Sequence, residues 1–429
     1  MHHLKYYLFG IITLTAALFS IYWIKETNGA CWDTIVYSRG SDQFMDFFNH
    51  IAYAKDFSIL YGTSVHACFP PLIYLMYGLF SKMLPEGAIV MFHSAETSSY
   101  ARLFYVVYCV IMTVFLFYSI HKLLKKSLEI SLWLTLTVLF SNTFIFEVLE
   151  RGNSTLIVCI FLLRALELKE HDSHQCREAA LIYIAAASAV KIYPAVFGLL
   201  YLLERRWKEA VRLVLYGILF FFVPFAAFGG WNAAAQFMEN QLAIQSGNYS
   251  GGGIMIIGIR NIRMCVNLIA DRYLGVTPSM AAVMAITILW TLLLLFCCCH
   301  ADAYWKKVFS LVSIMATVPL WSGGYTKIYY LIPLILFFRT DSAKKVQESV
   351  YTVLFSCMFL FMMYNNPELE TVLNTDMPSA ITYLAVYSFS ILLIVQSLFF
   401  NKFFRQHIKR FRIKGCQNTG NHKSDGKQL

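Results

Sequence analysis

The chain has 429 residues, of which 58% are hydrophobic, 16% aromatic and only 14% charged, with a formal net charge of +10. Soluble domains carry about 25% charged and 45–50% apolar residues, so this composition excludes an ordinary soluble domain and predicts a polytopic membrane protein. The positive balance does not point to nucleic acid. Lys402, Arg405, Lys409, Arg410, Arg412 and Lys414 concentrate it behind the last apolar run, where basic residues mark the cytoplasmic side of a span.

Tyr6–Ile24 lacks Asp, Glu, Lys and Arg and reads as a retained first helix. The flank Trp23-Ile24-Lys25-Glu26 offers no small-residue cleavage site. A first outer loop follows at 25–67, with "SDQFMDFFNHIAYAKD" (41–56) placing Asp42, Asp46 and Asp56 among Phe, Ile and Tyr. Cys31 and Cys68 flank this loop on the oxidising side, where a disulfide is chemically permitted. "FPPLIYLMYGLFSKML" (69–84) is short and opens on two prolines, so it reads as a segment returning outward. Leu103–Ile120 is the next charge-free span.

Working back from the basic tail, 121–126, 168–178, 204–212, 300–307 and 339–345 are basic loops on the cytoplasmic side. The outer turns lie at 150–155 and 322–327, with a large outer loop at 229–277 and an acidic one at 365–378. Ala179–Leu203 has length for one span but basic loops on both sides, and "KIYP" (191–194) sits at its middle. A Pro and a Lys inside an apolar segment predict a broken pair of helices turning back at Lys191. In the 229–277 loop, Arg260, Arg263 and Asn267 share one helical face, as expected of an amphipathic helix in the interface. Ser279–Cys299, Ser349–Tyr364 and Ser379–Phe400 complete the charge-free runs. The expected fold is all-α: a polytopic transmembrane helical bundle with about 10–13 membrane helices, some short, broken or re-entrant. Residues 1–408 form the membrane domain, and 409–429 a basic, disordered cytoplasmic tail.

Carboxylates and cations thus collect on one face. A carboxylate can take the proton of an attacking hydroxyl, while Arg or Lys stabilises a departing phosphate. Such a set suits sugar transfer from a lipid phosphate, with inversion if a single carboxylate acts. Arg151, Lys191 and Lys327 lie at the outer ends or breaks of membrane segments. Ordinary roles are equally open to them: Arg151 pairing with Glu147 or Glu150, Lys191 snorkelling, Arg260 and Arg263 resting on headgroups. A carrier of lipid-linked sugars, an outer-face polysaccharide polymerase or ligase, and a non-enzymatic assembly subunit remain alternatives.

The ordered motifs "MDFFNHIAYA", "FPPLIYL", "ERGNSTLIVCIFLLRAL" and "AAASAVKIYPAVFGLLYLLERRWKEA" resemble the polyprenol-phosphate-sugar-dependent transferases of glycosyltransferase family 87, in the GT-C superfamily. The matches cover roughly residues 40–215, with a weaker echo at "WSGGYTKIYYLIP" (321–333), where such proteins often carry His and this chain has Lys327. The resemblance implies a GT-C fold and a membrane mannosyl- or pentosyltransferase. Its donor would be a polyprenyl-monophosphate sugar, and its acceptor a hydroxyl of a glycolipid or glycan. The active site would lie on the outer face of a bacterial plasma membrane. It also implies an Asp base in the first outer loop, matched best by Asp46 and next by Asp42. Arg151, Asn153, Lys191, Arg260, Arg263 and Lys327 are the candidate donor-phosphate or substrate ligands. No metal or other cofactor is expected, because the first outer loop has no DxD-type pair and a monophosphate needs less neutralisation than a diphosphate.

Overall fold

The computed structural model describes residues 4–32, 43–62, 67–245, 257–259, 275, 279–319, 322–340, 345–373 and 375–399. Asp42, Arg260, Arg263, Asn267 and the 409–429 tail lie outside these residues. The described chain is an all-helical bundle without a strand element. Five helices are long and apolar enough to cross a bilayer. They are α1 (Leu4–Glu26), α4 (Ser99–Leu124), α9 (Trp207–Phe222, running on to Phe228), α11 (Met280–His300) and α16 (Met377–Phe399). A sixth arises if α5 (Leu128–Leu139) and the π-helical Thr143–Glu150 are one span, bent by 67°. Any further members of the expected 10–13 would have to be the shorter helices between them. These include α2 (Met45–Tyr53), α3 (Pro71–Met83), α6 (Thr155–Leu168), α7 (His174–Val190) and α8 (Leu199–Leu203). After α9 come α10 (Trp231–Gln245), α12 (Tyr304–Thr317), α13 (Leu331–Arg339), α14 (Lys345–Met358) and α15 (Pro367–Leu373).

The breaks have local causes. The chain leaves helical geometry at Lys191, which is extended (φ −144°, ψ 136°), and resumes in a 3-10 turn, Tyr193–Gly198, that packs back on α7. The small residues Ala185, Ala187 and Ala189 are buried on α7, the composition that lets membrane helices approach closely, and α7 packs on α6 and α9. The charge-free run 349–364 is helical only to Met358 and continues as non-helical chain. Asn142 explains the unwinding. Its side-chain amide donates to the Met362 carbonyl (2.6 Å) and its Oδ1 accepts from Met362 N (2.9 Å). Ser20 Oγ accepts from Met363 N (2.8 Å) and donates to the Phe361 carbonyl. Non-helical backbone within apolar surroundings is tolerated when its polar groups are met in this way. Asn142 also sits at the 67° bend, so one residue serves both distortions.

Two ends of the bundle differ in character. Lys125, Glu167, Glu170, Glu204, Tyr304, Arg339 and Thr340 line one cavity of about 400 Å³. These residues come from, or border, the five loops that the charge pattern placed on one side. Elsewhere, Lys327 Nζ donates to Glu147 Oε1 (2.8 Å) and Ser379 Oγ (3.0 Å), tying the π-helical segment to the 3-10 turn Gly324–Tyr330 and to α16. Lys327→Met would strand the Glu147 carboxyl. Thermal unfolding in detergent should show a loss of about 3–5 kcal/mol, with recovery of most of it in the Glu147→Gln, Lys327→Met double variant.

Candidate active site

The site is built on "ERGN". The backbone turns sharply at Gly152 (φ +69°) between the π-helical segment and α6. A Cβ there would lie 2.8 Å from Phe47 Cβ and 3.3 Å from the Phe44 carbonyl oxygen, so glycine meets both the dihedral and the contact. The close approach lets two backbone hydrogen bonds staple α2 to the turn. Phe44 N donates to the Glu150 carbonyl (2.6 Å) and Asp46 N to the Arg151 carbonyl (3.1 Å). Phe44 itself is left-handed (φ 62°), a conformation that costs a non-glycine residue free energy and recurs at functional sites.

Side chains complete the clamp. Arg151 Nη2 donates to Asp46 Oδ1 at 2.5 Å, and Asn153 Nδ2 donates to Asp46 Oδ2 at 2.7 Å. Asn153 Oδ1 in turn accepts from Thr155 N (3.1 Å), fixing the amide at the start of α6. The apolar neighbours of Asp46 are anchors: Met45, Phe47 and Phe48 are wholly buried, Phe47 between Tyr105 and Tyr108 at 4.8 Å from each ring. Burial pushes the Asp46 carboxyl upward, but the Arg151 guanidinium, the Asn153 amide and the Lys191 ammonium outweigh it. The net direction is below the ordinary carboxylate value, helped by the first-turn position on α2. Asp46 is therefore ionised at neutral pH.

Lys191 faces this carboxylate. It is 5% exposed and lies within electrostatic reach of Asp46. Its ammonium sits 4.3 Å from the Phe69 ring centre and 4.8 Å from that of Tyr325. Among the described residues it has no hydrogen-bond acceptor or carboxylate within pairing distance. An aromatic cage lowers the cost of a buried cation without neutralising it. Sequence reasoning missed His50, one turn after Asp46 on α2, whose Nδ1 meets Tyr74 OH at 2.9 Å. Burial holds this imidazole neutral, down to about 4 despite the Asp46 charge. The i, i+4 spacing of Asp46 and His50 was a signal that the carboxylates alone obscured. Tyr325 was likewise missed, because nothing in "WSGGYTK" marks it as facing Asp46 and Arg151.

The structure thus brings Asp46, Arg151, Asn153 and Lys191 together. Lys327 is held by Glu147 instead, and the exposed Asp56 bonds Ser58. Cys68 is a free thiol, so no bridge joins it to Cys31. Among the described residues, no group of three or more His, Cys, Asp or Glu side chains has the geometry of a metal site.

The described chain is thus an all-helical bundle with helices long enough to cross a membrane, carrying one clamped carboxylate beside a caged cation. The model of glycosyltransferase family 87 matches residues 85–323, more than half of the chain, and the protein belongs to that family. It is a membrane-embedded glycosyltransferase. The matched region includes Arg151, Asn153 and Lys191 and begins after α2, so Asp46 is joined to it through the geometry above. No curated protein matches the chain.

Gly152→Ala tests the turn. The left-handed dihedral alone costs an L-residue roughly 1–2 kcal/mol, and the Phe47 contact adds to it. The variant should unfold at lower temperature and lose more sugar transfer than stability, because the Asp46 clamp shifts with the turn.

Proposed function

We propose that the protein is an inverting glycosyltransferase that moves a sugar, mannose or a pentose, from a polyprenyl monophosphate to a hydroxyl of a glycolipid or glycan. The observation that carries this reading is the pairing of unlike states: a carboxylate held through both oxygens, opposite a buried ammonium with no anion against it. A carboxylate in two hydrogen bonds is oriented, and its remaining lone pairs can accept the proton of a hydroxyl placed before it. A caged ammonium awaits a charge that only a ligand brings.

In the proposed step the acceptor oxygen attacks the anomeric carbon from the face opposite the phosphate. The new carbon–oxygen bond forms as the bond to the phosphate oxygen breaks. The proton passes to Asp46, and the electron pair leaves with the polyprenyl phosphate, whose added charge falls on Lys191. One carboxylate and direct displacement give inversion, with no glycosyl-enzyme intermediate. Arg151 and Asn153 position the base; Asn153 and Arg151 are its clamp more than donor ligands. We place this site on the outer face of the membrane of a bacterial cell, since the basic loops converge on the cavity end and Lys and Arg favour the cytoplasmic side.

Asp46→Asn should reduce transfer from polyprenyl-phosphate-[14C]mannose or the corresponding pentosyl donor by about 10²–10⁴-fold, with expression retained and a lower unfolding temperature because Arg151 loses its counter-charge. Near-normal turnover would remove Asp46 from the role. With its pKa lowered, Asp46 keeps its charge until the pH falls below the usual carboxylate range. The acid limb of the kcat/KM profile should accordingly lie below the usual carboxylate range, and a limb near neutrality would contradict it. Because Lys191 supplies the positive charge, transfer should persist in EDTA. Loss that Mn²⁺ or Mg²⁺ restores would overturn that part of the mechanism.

A further inference from the structure

A second polar cluster lies beyond Arg151 and takes no part in the chemistry above. Glu147 sits four residues before Arg151 and within its electrostatic reach. Its Oε1 accepts from Lys327, and its Oε2 has no hydrogen-bond partner. Tyr383, on α16, lies within electrostatic reach of both Glu147 and Asp376 and beside Thr375 and Ser379. Lys327 Nζ lies 5.4 Å from its ring centre. The Tyr383 hydroxyl, Asp376 Oδ2 and Thr375 Oγ1 are also buried without a partner of ordinary geometry. All four residues are more than nine-tenths buried.

One orphaned buried polar atom is costly, and native proteins keep few of them. Four from one neighbourhood indicate groups held ready for a ligand. Gly324 lets the Glu147 carboxyl pack directly on the backbone, since a Cβ there would lie 2.3 Å from both carboxyl oxygens. Carboxyl oxygens accept from hydroxyls, while the Tyr and Thr hydroxyls both donate and accept. That combination matches a polyol. Two carboxyl groups against the Lys327 ammonium, with the Arg151 guanidinium committed to Asp46, disfavour an anionic one.

We propose that this cluster receives the ring hydroxyls of an uncharged acceptor sugar, a reading that rests on the glycosyl-transfer function above. Arg151 lies between the two polar groups, touching Asp46 and within reach of Glu147. The donor phosphate then lies on the Lys191 side of Asp46 and the acceptor ring on the Glu147 side. A hydroxyl of that ring is presented to the base.

The test uses the purified full chain in lipid nanodiscs, with thermal unfolding followed during titration of octyl hexosides (mannoside, glucoside, galactoside) and of octyl glucuronide. At least one neutral hexoside should protect the wild type and Asp46→Asn, and the glucuronide should not. Tyr383→Phe and Asp376→Asn should bind that hexoside about tenfold more weakly. Their unliganded unfolding temperature should stay close to that of the wild type, because Asp376→Asn keeps the Oδ1 that accepts from Ser379 N and the altered atoms have no partner of ordinary geometry. Equal protection by the glucuronide, absence of protection by every hexoside, undiminished protection of both variants, or a fall in their unliganded unfolding temperature would overturn the proposal. Protection of Asp46→Asn alongside a wild type inert towards every polyprenyl-phosphate sugar would instead overturn the transfer reading and leave this site standing.

Discussion

The structure turns on the clamp that fixes one carboxylate by two donors of different kinds. Arg151 supplies charge, Asn153 supplies direction, and both issue from one tight turn whose glycine admits α2 to backbone contact. Neither donor is held by its own length. Asn153 is fixed by Thr155 N, and the turn is fixed by the hydrogen bonds of Phe44 and Asp46 N–H groups to it. The carboxylate and both its donors are therefore referenced to residues 150–153. A short helix of nine residues could not hold a carboxylate in place alone; its aromatic anchors and the turn do so together.

The chain spends several departures from regular helix on this neighbourhood. The π-helical segment, the 67° bend, the extended residue at Lys191 and the 3-10 turn after Gly323 all border the site or the cluster next to it. Each puts a side chain where continuous helix would not: Glu147 beside Lys327, Lys191 among rings, Tyr325 near Asp46. The backbone unwound after Met358 is met by the side chains of Asn142 and Ser20 instead of water. Irregular backbone of this kind is tolerated at membrane depth only where it is buried in protein or lines a cavity.

Much of the fold was legible in the chain. Charge-free runs gave four of the five long helices nearly to their ends, α1, α4, α11 and α16, since a bilayer imposes one length and one composition. The break at Lys191 followed from a misplaced Pro and Lys. The clamp was partly legible: "ERGN" and "MDFFN" stood out as motifs, but their hydrogen bonds join residues about a hundred positions apart. The unwinding after Met358 was hidden, because Asn142, more than two hundred residues earlier, stabilises it. Lys327 showed the converse. A cation near a loop end invited a ligand role, while its partner Glu147 lay 180 residues away.

The central claim is spatial: a lipid-borne phosphate belongs on Lys191, with the anomeric carbon turned toward Asp46. The most direct measurement is an electron cryomicroscopy structure of Asp46→Asn trapped with an intact polyprenyl-phosphate sugar. The account requires phosphate density within hydrogen-bond reach of Lys191 Nζ and the sugar lying between it and residue 46. Headgroup density seated instead in the cavity between Lys125 and Arg339, with the Lys191 cage vacant, would contradict it.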